Sequence, residues 1–250
     1  MQERLYLAKT NYNLSFMLIT RCSSVAELNE LASEYIIKDL SSRPRSLFCT
    51  ATGNSPTGIY QLLADKKDRI DPQGLSLIKL DEWYNLPMDH PASCEYYLQQ
   101  YMIRPLGVSD GNYTGFNSLA KDTAAECKRI NDFLTANGPI DICVLGIGLN
   151  GHIGFNEPAD YLQPHAHLAT LSDTSLNHTM IKSSGVEVKY GFTLGVADIL
   201  QSKKIILPVF GKNKKEIMEQ LFEAKISSQL PASVLGLHPD VTVFYCENDS

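Results

Sequence analysis

Short apolar runs alternate along the chain with longer segments in which apolar residues recur every three to four positions. The short runs predict buried β-strands at residues 46–51, 76–80, 141–145, 204–210 and 241–246. The longer segments predict helices at residues 24–38, 57–66, 92–106, 120–136 and 215–223. This alternation is typical of an α/β fold with a mainly parallel sheet and helices on both faces. No repeat or linker divides the chain, so we expect a single domain over residues 1–250.

Four predicted strands are followed within a few residues by unusually polar or glycine-rich segments. These segments are Thr-Gly-Asn-Ser at 52–55, Asp-Glu-Trp at 81–83, Asn-Gly-His at 150–152 and Gly-Lys-Asn-Lys at 211–214. In open parallel sheets, ligands bind beyond the carboxyl ends of the strands. The pattern therefore predicts that the four segments meet in one binding site.

Composition narrows the class of ligand. Of the 250 residues, 44 % are hydrophobic and 20 % are charged, as in an ordinary globular protein. The net charge of −6 argues against a dedicated nucleic-acid binder, but a local basic pocket would still admit a small anion. No apolar run approaches the roughly 20 residues of a membrane span, so we expect no membrane partner. We expect no signal peptide, and the six scattered cysteines favour reduced thiols in the cytoplasm.

A phosphate site is the first candidate chemistry. Thr52, Gly53, Asn54 and Ser55 join a strand to a helix, where small residues and a helix start favour an anion. The alternative is a plain strand–helix turn. Lys214 would add a cation, although it lies in a lysine-rich stretch in which an ordinary solvated side chain is the default.

Two proton-transfer groups are the second candidate. Asp81 follows an apolar strand and would serve as a general base if it were partly desolvated; otherwise it is a helix cap or a loop charge. His152 and Glu157 lie five residues apart in a glycine-containing loop, which lets Glu157 hydrogen-bond one imidazole nitrogen and fix the tautomer. The alternative is an exposed loop histidine.

Two further motifs are weak. Residues 146–151 match the Gly-x-Gly-x-x-Gly spacing of a dinucleotide-binding turn, but Gly154 and Pro158 prevent the helix that should follow. We therefore expect no nicotinamide cofactor. His165, His167 and His178 invite a metal site, yet no cysteine or carboxylate cluster completes one, so a mobile polar segment, a lid at about 159–191, is favoured.

The segments A-T-G-N-S-P-T-G, K-L-D-E-W and G-I-G-L-N-G-H-I-G-F-N-E-P, in this order, resemble the glucosamine-6-phosphate deaminase family. That family shares a superfamily with 6-phosphogluconolactonase, and the residues after Gly-His favour the deaminase branch. The resemblance runs from about Phe48 to His238. It implies a modified Rossmann-like fold, a sugar phosphate as the partner and no metal or organic cofactor. The implied reaction is an aldose–ketose isomerisation coupled to loss of ammonia.

The resemblance also implies residue roles. Asp81 resembles the base that moves a proton between C2 and C1 of the sugar, His152 the ring-opening acid and base, and Glu157 its orienting partner. Residues 52–55 and Lys214 resemble the phosphate site, and Gly151 belongs to the same substrate-binding segments.

Asn150 departs from the family, which usually has aspartate before Gly-His. An amide cannot act as a carboxylate base. Asn-Gly-His, Asp-Glu-Trp and the stretch A-K-I-S-S-Q-L-P-A-S are similar to galactosamine-6-phosphate deaminase/isomerases. We therefore expect galactosamine 6-phosphate to give tagatose 6-phosphate and ammonia. Glucosamine 6-phosphate as substrate, a 6-phosphogluconolactonase-type hydrolysis and a non-catalytic sugar-phosphate sensor are the alternatives.

The stretch after Pro158 is a second departure. Activated members of the family carry basic residues there and an arginine further on, whereas residues 177–182 contain no arginine. We expect no activation by N-acetylglucosamine 6-phosphate. The sequence leaves a homo-oligomer open, because no clear interface stripe is visible.

Overall fold

A seven-stranded parallel sheet forms the centre of the computed structural model, which describes residues 17–177, 179–182 and 185–249. The first half of the described chain contains β1 (Met17–Arg21), α1 (Val25–Ser41), β2 (Ser46–Thr50), α2 (Asn54–Asp65), β3 (Leu75–Lys79), β4 (Asp81–Trp83), α3 (Cys94–Leu98), α4 (Arg104–Leu106), β5 (Tyr113–Thr114) and α5 (Thr123–Asn137). The second half contains β6 (Ile142–Val144), β7 (His167–Thr170), α6 (Asp173–Leu176), α7 (Thr179–Lys182), β8 (Tyr190–Thr193), α8 (Val196–Leu200), β9 (Lys204–Phe210), α9 (Lys215–Phe222) and β10 (Val241–Cys246).

The central sheet has the order β1-β10-β9-β6-β2-β3-β5, with every neighbouring pair parallel. Its strands are apolar on both faces because helices cover both. Along β2, Leu47 and Cys49 pack into the core beneath α5, α8 and α9, while Phe48 packs into the core beneath α1 and α2. The predicted α/β fold with helices on both faces of a mainly parallel sheet is confirmed.

A second sheet has the antiparallel order β4-β8-β7. It lies directly after β3 and packs its own apolar cluster, in which the rings of Trp83 and Phe155 lie 4.6 Å apart. Gly191 is required here, because a Cβ atom at this position would lie 2.4 Å from Cδ2 of Phe155. No pattern in the sequence predicts this sheet. Strand β7 and the first half of β8 lie inside the segment 159–191 that was predicted to be a lid.

Two helices near the candidate site differ from the prediction. Helix α2 begins at Asn54 rather than at 57, so Asn54 and Ser55 lie in its first turn. The predicted helix at 92–106 is divided into α3, a π-helical turn (Gln99–Ile103) and α4. The first change brings the start of α2 to the end of β2, where its unpaired backbone N–H groups face the site.

Candidate active site

A cavity of about 760 Å³ opens at the carboxyl ends of β2, β3, β6 and β9, and α6 closes one side of it. Residues from all four predicted strand-end segments line it, as expected for a parallel sheet. The predicted site residues in its lining are Thr52, Gly53, Asn54, Ser55, Asp81, His152 and Lys214. The other three, Asn150, Gly151 and Glu157, are not part of the lining.

The start of α2 forms one end of the cavity. Gly53 caps the helix with a φ of 100° and gives no side-chain cap, so the first N–H groups of α2 remain available to an anion. The Gly53 carbonyl accepts hydrogen bonds from Oγ1 of Thr57 at 2.8 Å and from the hydroxyl of Tyr97 at 3.1 Å. These bonds fix the backbone that would hold a phosphate.

Lys214 reaches the same cavity from the turn before α9. It is half-buried, whereas Lys212 and Lys215 beside it are exposed. Its Nζ donates to the Ile147 carbonyl at 2.6 Å, and burial lowers its pKa. Among the described residues of the lining, Lys214 is the only lysine or arginine. Lys214 is therefore distinct from the solvated lysines around it.

Asp81 begins β4 and is 7 % exposed. Burial and the charge of Glu82 raise its pKa to about 7, against smaller lowering effects of Cys94 and Lys79. The Cys94 thiol lies 3.8 Å from Oδ1 of Asp81 and accepts a hydrogen bond from Oγ1 of Thr52 at 3.4 Å. A carboxyl group with a pKa near neutrality is suited to accept and return a proton.

A buried ionic cluster of Lys79, Glu82 and Glu95 lies next to Asp81 in the fold. Nζ of Lys79, which is fully buried, lies 2.7 Å from Glu82 and 2.8 Å from Glu95. Glu82 also accepts the backbone N–H groups of Cys94 and Glu95 at the start of α3. Each buried charge thus has partners, as burial requires, and β3, β4 and α3 are held together at the base of the cavity.

His152 faces the cavity from the loop after β6. Its Nδ1 lies 3.4 Å from Oε2 of Glu157, which confirms the predicted approach of the two side chains. Burial would raise the pKa of Glu157, but its contacts with His152, Ser175 and Asn150 outweigh this effect and lower it to about 2. Glu157 is therefore an ionised partner of the imidazole at its Nδ1, and it is not part of the cavity lining.

Two glycines shape this loop. The His152 ring lies against Gly148, where a Cβ atom would fall 2.3 Å from Cε1 of the imidazole. Gly151, predicted to touch substrate, instead has a φ of 81° and lies against Leu230, and its carbonyl accepts from Ala232 N at 2.8 Å. The geometry gives Gly151 a role in the turn rather than a place in the cavity lining.

Three side chains that the sequence analysis did not single out contact the predicted groups. Ser172 and Ser175 of the α6 turn bind Glu157, and Cys94 contacts Asp81. The Ser-Asp-Thr-Ser sequence at 172–175 signals a helix start with a serine cap, but nothing in it indicates a partner 15 residues earlier in the chain.

The weak metal candidates have other partners. Nδ1 of His165 pairs with Asp198 at 2.9 Å, and Nδ1 of His167 bonds the His165 carbonyl at 2.8 Å. His178 lies outside the described residues. Within the described part of the chain, no three histidine, cysteine or acidic side chains group as metal ligands would. The described helices also include none with the length and apolar character of a membrane span.

Comparison with known proteins agrees with this geometry. A family model for glucosamine-6-phosphate isomerases/6-phosphogluconolactonase matches residues 21–244. The putative deaminase AgaI of Escherichia coli is 39 % identical over 84 % of each chain. Glucosamine-6-phosphate deaminase 1 of Bacillus subtilis is 33 % identical and covers 91 % of this chain and 96 % of its own.

Solved structures show the same relationship. A monomeric glucosamine-6-phosphate deaminase superposes with a TM-score of 0.85 at 33 % identity, covering 91 % of this chain and 96 % of that one. A 6-phosphogluconolactonase from Shewanella baltica gives a TM-score of 0.77 at 19 % identity, covering 92 % and 97 %, and so shares the fold. The expected resemblance is confirmed: this chain belongs to the glucosamine-6-phosphate isomerase/6-phosphogluconolactonase family.

Proposed function

We propose that this protein is an amino sugar 6-phosphate deaminase/isomerase that converts galactosamine 6-phosphate into tagatose 6-phosphate and ammonia. One observation carries the proposal. A buried carboxyl group, Asp81, and an imidazole with an ionised partner, His152, line the same cavity as the first turn of α2 and the ammonium group of Lys214. The cavity volume of about 760 Å³ is in the range that encloses a small ligand.

Ring opening is the first step. His152 removes the proton from O1 and returns one to the ring oxygen, which frees the aldehyde and makes the C2 proton acidic. Its Nε2 has no hydrogen-bond partner among the described residues and is thus free for this exchange. The phosphate would bind the first turn of α2 and Lys214, which orients the sugar with C1 and C2 toward the two proton-transfer groups.

Asp81 performs the second step. It removes the C2 proton and delivers a proton to C1. The aldehyde oxygen gains a proton and the amine nitrogen loses one, so that C1 becomes an alcohol and C2 an imine. Water adds to the imine carbon, and the resulting carbinolamine expels ammonia to leave the ketose. Amino sugar phosphate plus water thus balances ketose phosphate plus ammonia. The pKa of about 7 suits Asp81 to both halves of this transfer.

The choice of galactosamine over glucosamine is supported by Asn150 and the other segments that resemble galactosamine-6-phosphate deaminase/isomerases. The test is ammonia release by the purified protein from each amino sugar phosphate in parallel. We expect faster turnover of galactosamine 6-phosphate. Preference for glucosamine 6-phosphate would remove the substrate assignment but leave the mechanism intact.

Asp81→Asn separates the deaminase from a lactone hydrolase. Deamination needs a C2 base, whereas hydrolysis of a sugar lactone does not. We expect the variant to lose ammonia release by about 100-fold or more, the usual contribution of a general base. Wild-type protein that released no ammonia from either sugar but hydrolysed 6-phosphogluconolactone would contradict the proposal.

A further inference from the structure

Glu157 is surrounded by uncharged donors in addition to His152. Its Oε2 accepts from Nδ2 of Asn150 at 2.9 Å and from Oγ of Ser172 at 2.9 Å. Its Oε1 accepts from the Ser172 backbone N–H at 3.2 Å and from the Ser175 hydroxyl. A carboxylate offers about four acceptor sites. Asn150 and the two serines therefore provide for most of its hydrogen bonding.

Ser175 contacts both Glu157 and His152. Its Oγ donates to Glu157 and lies 3.3 Å from Nδ1 of His152. A hydroxyl has one hydrogen, and here the carboxylate accepts it. Toward the imidazole, Ser175 is thus an acceptor. Because Glu157 also approaches Nδ1, both neighbours of this nitrogen are acceptors and the ring hydrogen resides on Nδ1.

Asn150 completes the set without adding charge. Its amide has two N–H groups, one on Glu157 and one on Oγ of Ser172 at 3.1 Å. An aspartate at this position would have no N–H to donate and would place a second carboxylate about 2.9 Å from the first. The departure from the family pattern therefore fits the two serines that Glu157 contacts in this chain.

We propose that Ser175 is a positioning residue for ring opening: it links Glu157 to His152 and, with Ser172 and Asn150, holds the imidazole in the tautomer whose Nε2 is unprotonated. This inference rests on the proposed function for its catalytic meaning, but the tautomer is a property of the free protein. Ser175 is 2 % exposed, so this geometry is fixed before substrate arrives.

Glu157 is the carboxylate beside Nδ1 of His152, and its charge affects how kcat/KM depends on pH. The other titratable groups that line the cavity are Asp81 on β4, Asp173 on α6, Lys214 before α9, and Asp249. Asn150→Asp would add a second carboxylate near the ring and favour the imidazolium, which cannot accept the O1 proton. We expect the acidic limb of kcat/KM to move upward by about 1 pH unit.

The experiment is 15N NMR of the protein labelled at histidine, which distinguishes protonated from unprotonated ring nitrogens. The His152 signals are assigned by their loss in His152→Gln. We expect wild-type protein near pH 8 to carry its hydrogen on Nδ1, Ser175→Ala to populate both tautomers, and Ser175→Thr, which keeps the hydroxyl, to restore the first.

Kinetics provide the second measurement. Ser175→Ala should lose about 10-fold or more in kcat, with a smaller change in KM, and Ser175→Thr should recover most of the loss. A wild-type hydrogen on Nε2, or an unchanged tautomer and kcat in Ser175→Ala, would overturn the proposal. Because the NMR result needs no substrate, inactivity toward both amino sugars would count against the proposed function alone.

Discussion

At the scale of single residues, the site depends on positions where one added methyl group would displace a reacting side chain. Gly148 is the clearest case, because its Cα lies under the His152 ring. The nearest atoms to an added Cβ belong to the imidazole rather than to backbone. The ring therefore moves more readily than the fold, and a small change affects chemistry before stability.

Gly148→Ala should accordingly lower kcat by about 10- to 100-fold while the midpoint of thermal unfolding changes little, because a shift of about 1 Å in a catalytic group has an effect of that order. Gly111→Ala is the control, since a Cβ at that exposed position meets no atom within 4 Å and Gly111 lies outside the cavity lining. Steady-state kinetics and thermal unfolding of both variants test this prediction. Equal losses of activity in the two would contradict it.

Asp81 affects the stability of the fold through its raised pKa. Its pKa is about 7 in the folded protein, against an ordinary 3.8, so ionisation of Asp81 disfavours the folded state. The contribution of Asp81 to the free energy of unfolding thus falls as pH rises from about 4 to about 7. At 1.36 kcal/mol per pKa unit, the full effect is about 4 kcal/mol.

Asp81→Asn removes that ionisation. We expect the variant to unfold at a higher temperature than the wild type at pH 8, with the difference shrinking toward pH 4, where both side chains are neutral. Thermal unfolding across this pH range provides the measurement. A stability difference independent of pH would mean that Asp81 is ionised at little cost.

At the scale of elements, the proposed anion site combines two helix starts. Helix α2 supplies N–H groups, and the turn before α9 supplies Lys214. Lys214→Ala should raise KM for a sugar phosphate by about 10-fold or more, since a charge-assisted hydrogen bond contributes about 1.5–3 kcal/mol. Lys215→Ala, which changes an exposed lysine one position later, should leave KM almost unchanged.

Increasing salt should weaken phosphate binding by the wild type and have less effect on Lys214→Ala, because only the wild type loses an ion pair through screening. Equal KM values for Lys214→Ala and Lys215→Ala would place the phosphate elsewhere in the cavity.

The strands differ in how far they could be predicted from the sequence. The strands predicted from residues 46, 76, 141 and 204 are largely buried, so their apolar runs could be recognised in the sequence. Parallel packing then brings the polar segments that follow them together. Strands β4, β7 and β8 have three or four residues each, and β4 pairs with a strand more than 100 residues later. Such pairing leaves little local pattern.

The residues of the candidate site also fall into those that the sequence predicted and those that it did not. Asp81, His152, Glu157 and Lys214 follow strand ends and were predicted. Ser172, Ser175 and Cys94 act through contacts across the fold, and the sequence around them indicates only helix caps. The role of Gly151 also depended on its left-handed backbone, which the glycine spacing alone does not distinguish from a ligand contact.

At the scale of the whole molecule, the antiparallel sheet β4-β8-β7 limits which parts of the segment 159–191 can move. Strand β4 carries Asp81 and pairs with β8, which pairs with β7. If β7 or β8 moved away, the sheet that positions Asp81, the proposed C2 base, would break. We therefore expect the lid, predicted at 159–191, to involve residues between these two strands. Among them, α6 is the described helix that both lines the cavity and binds Glu157.

Hydrogen–deuterium exchange with and without tagatose 6-phosphate tests this narrower lid. A helix of four residues has little stability of its own, so contacts with a bound ligand should slow exchange in peptides that contain α6 and the start of α2. Exchange in β7 and β8 should remain unchanged, because the sheet already protects them. Slowing throughout 159–191 would show that the whole segment closes, and no slowing in α6 would show that the cavity binds its ligand without a lid.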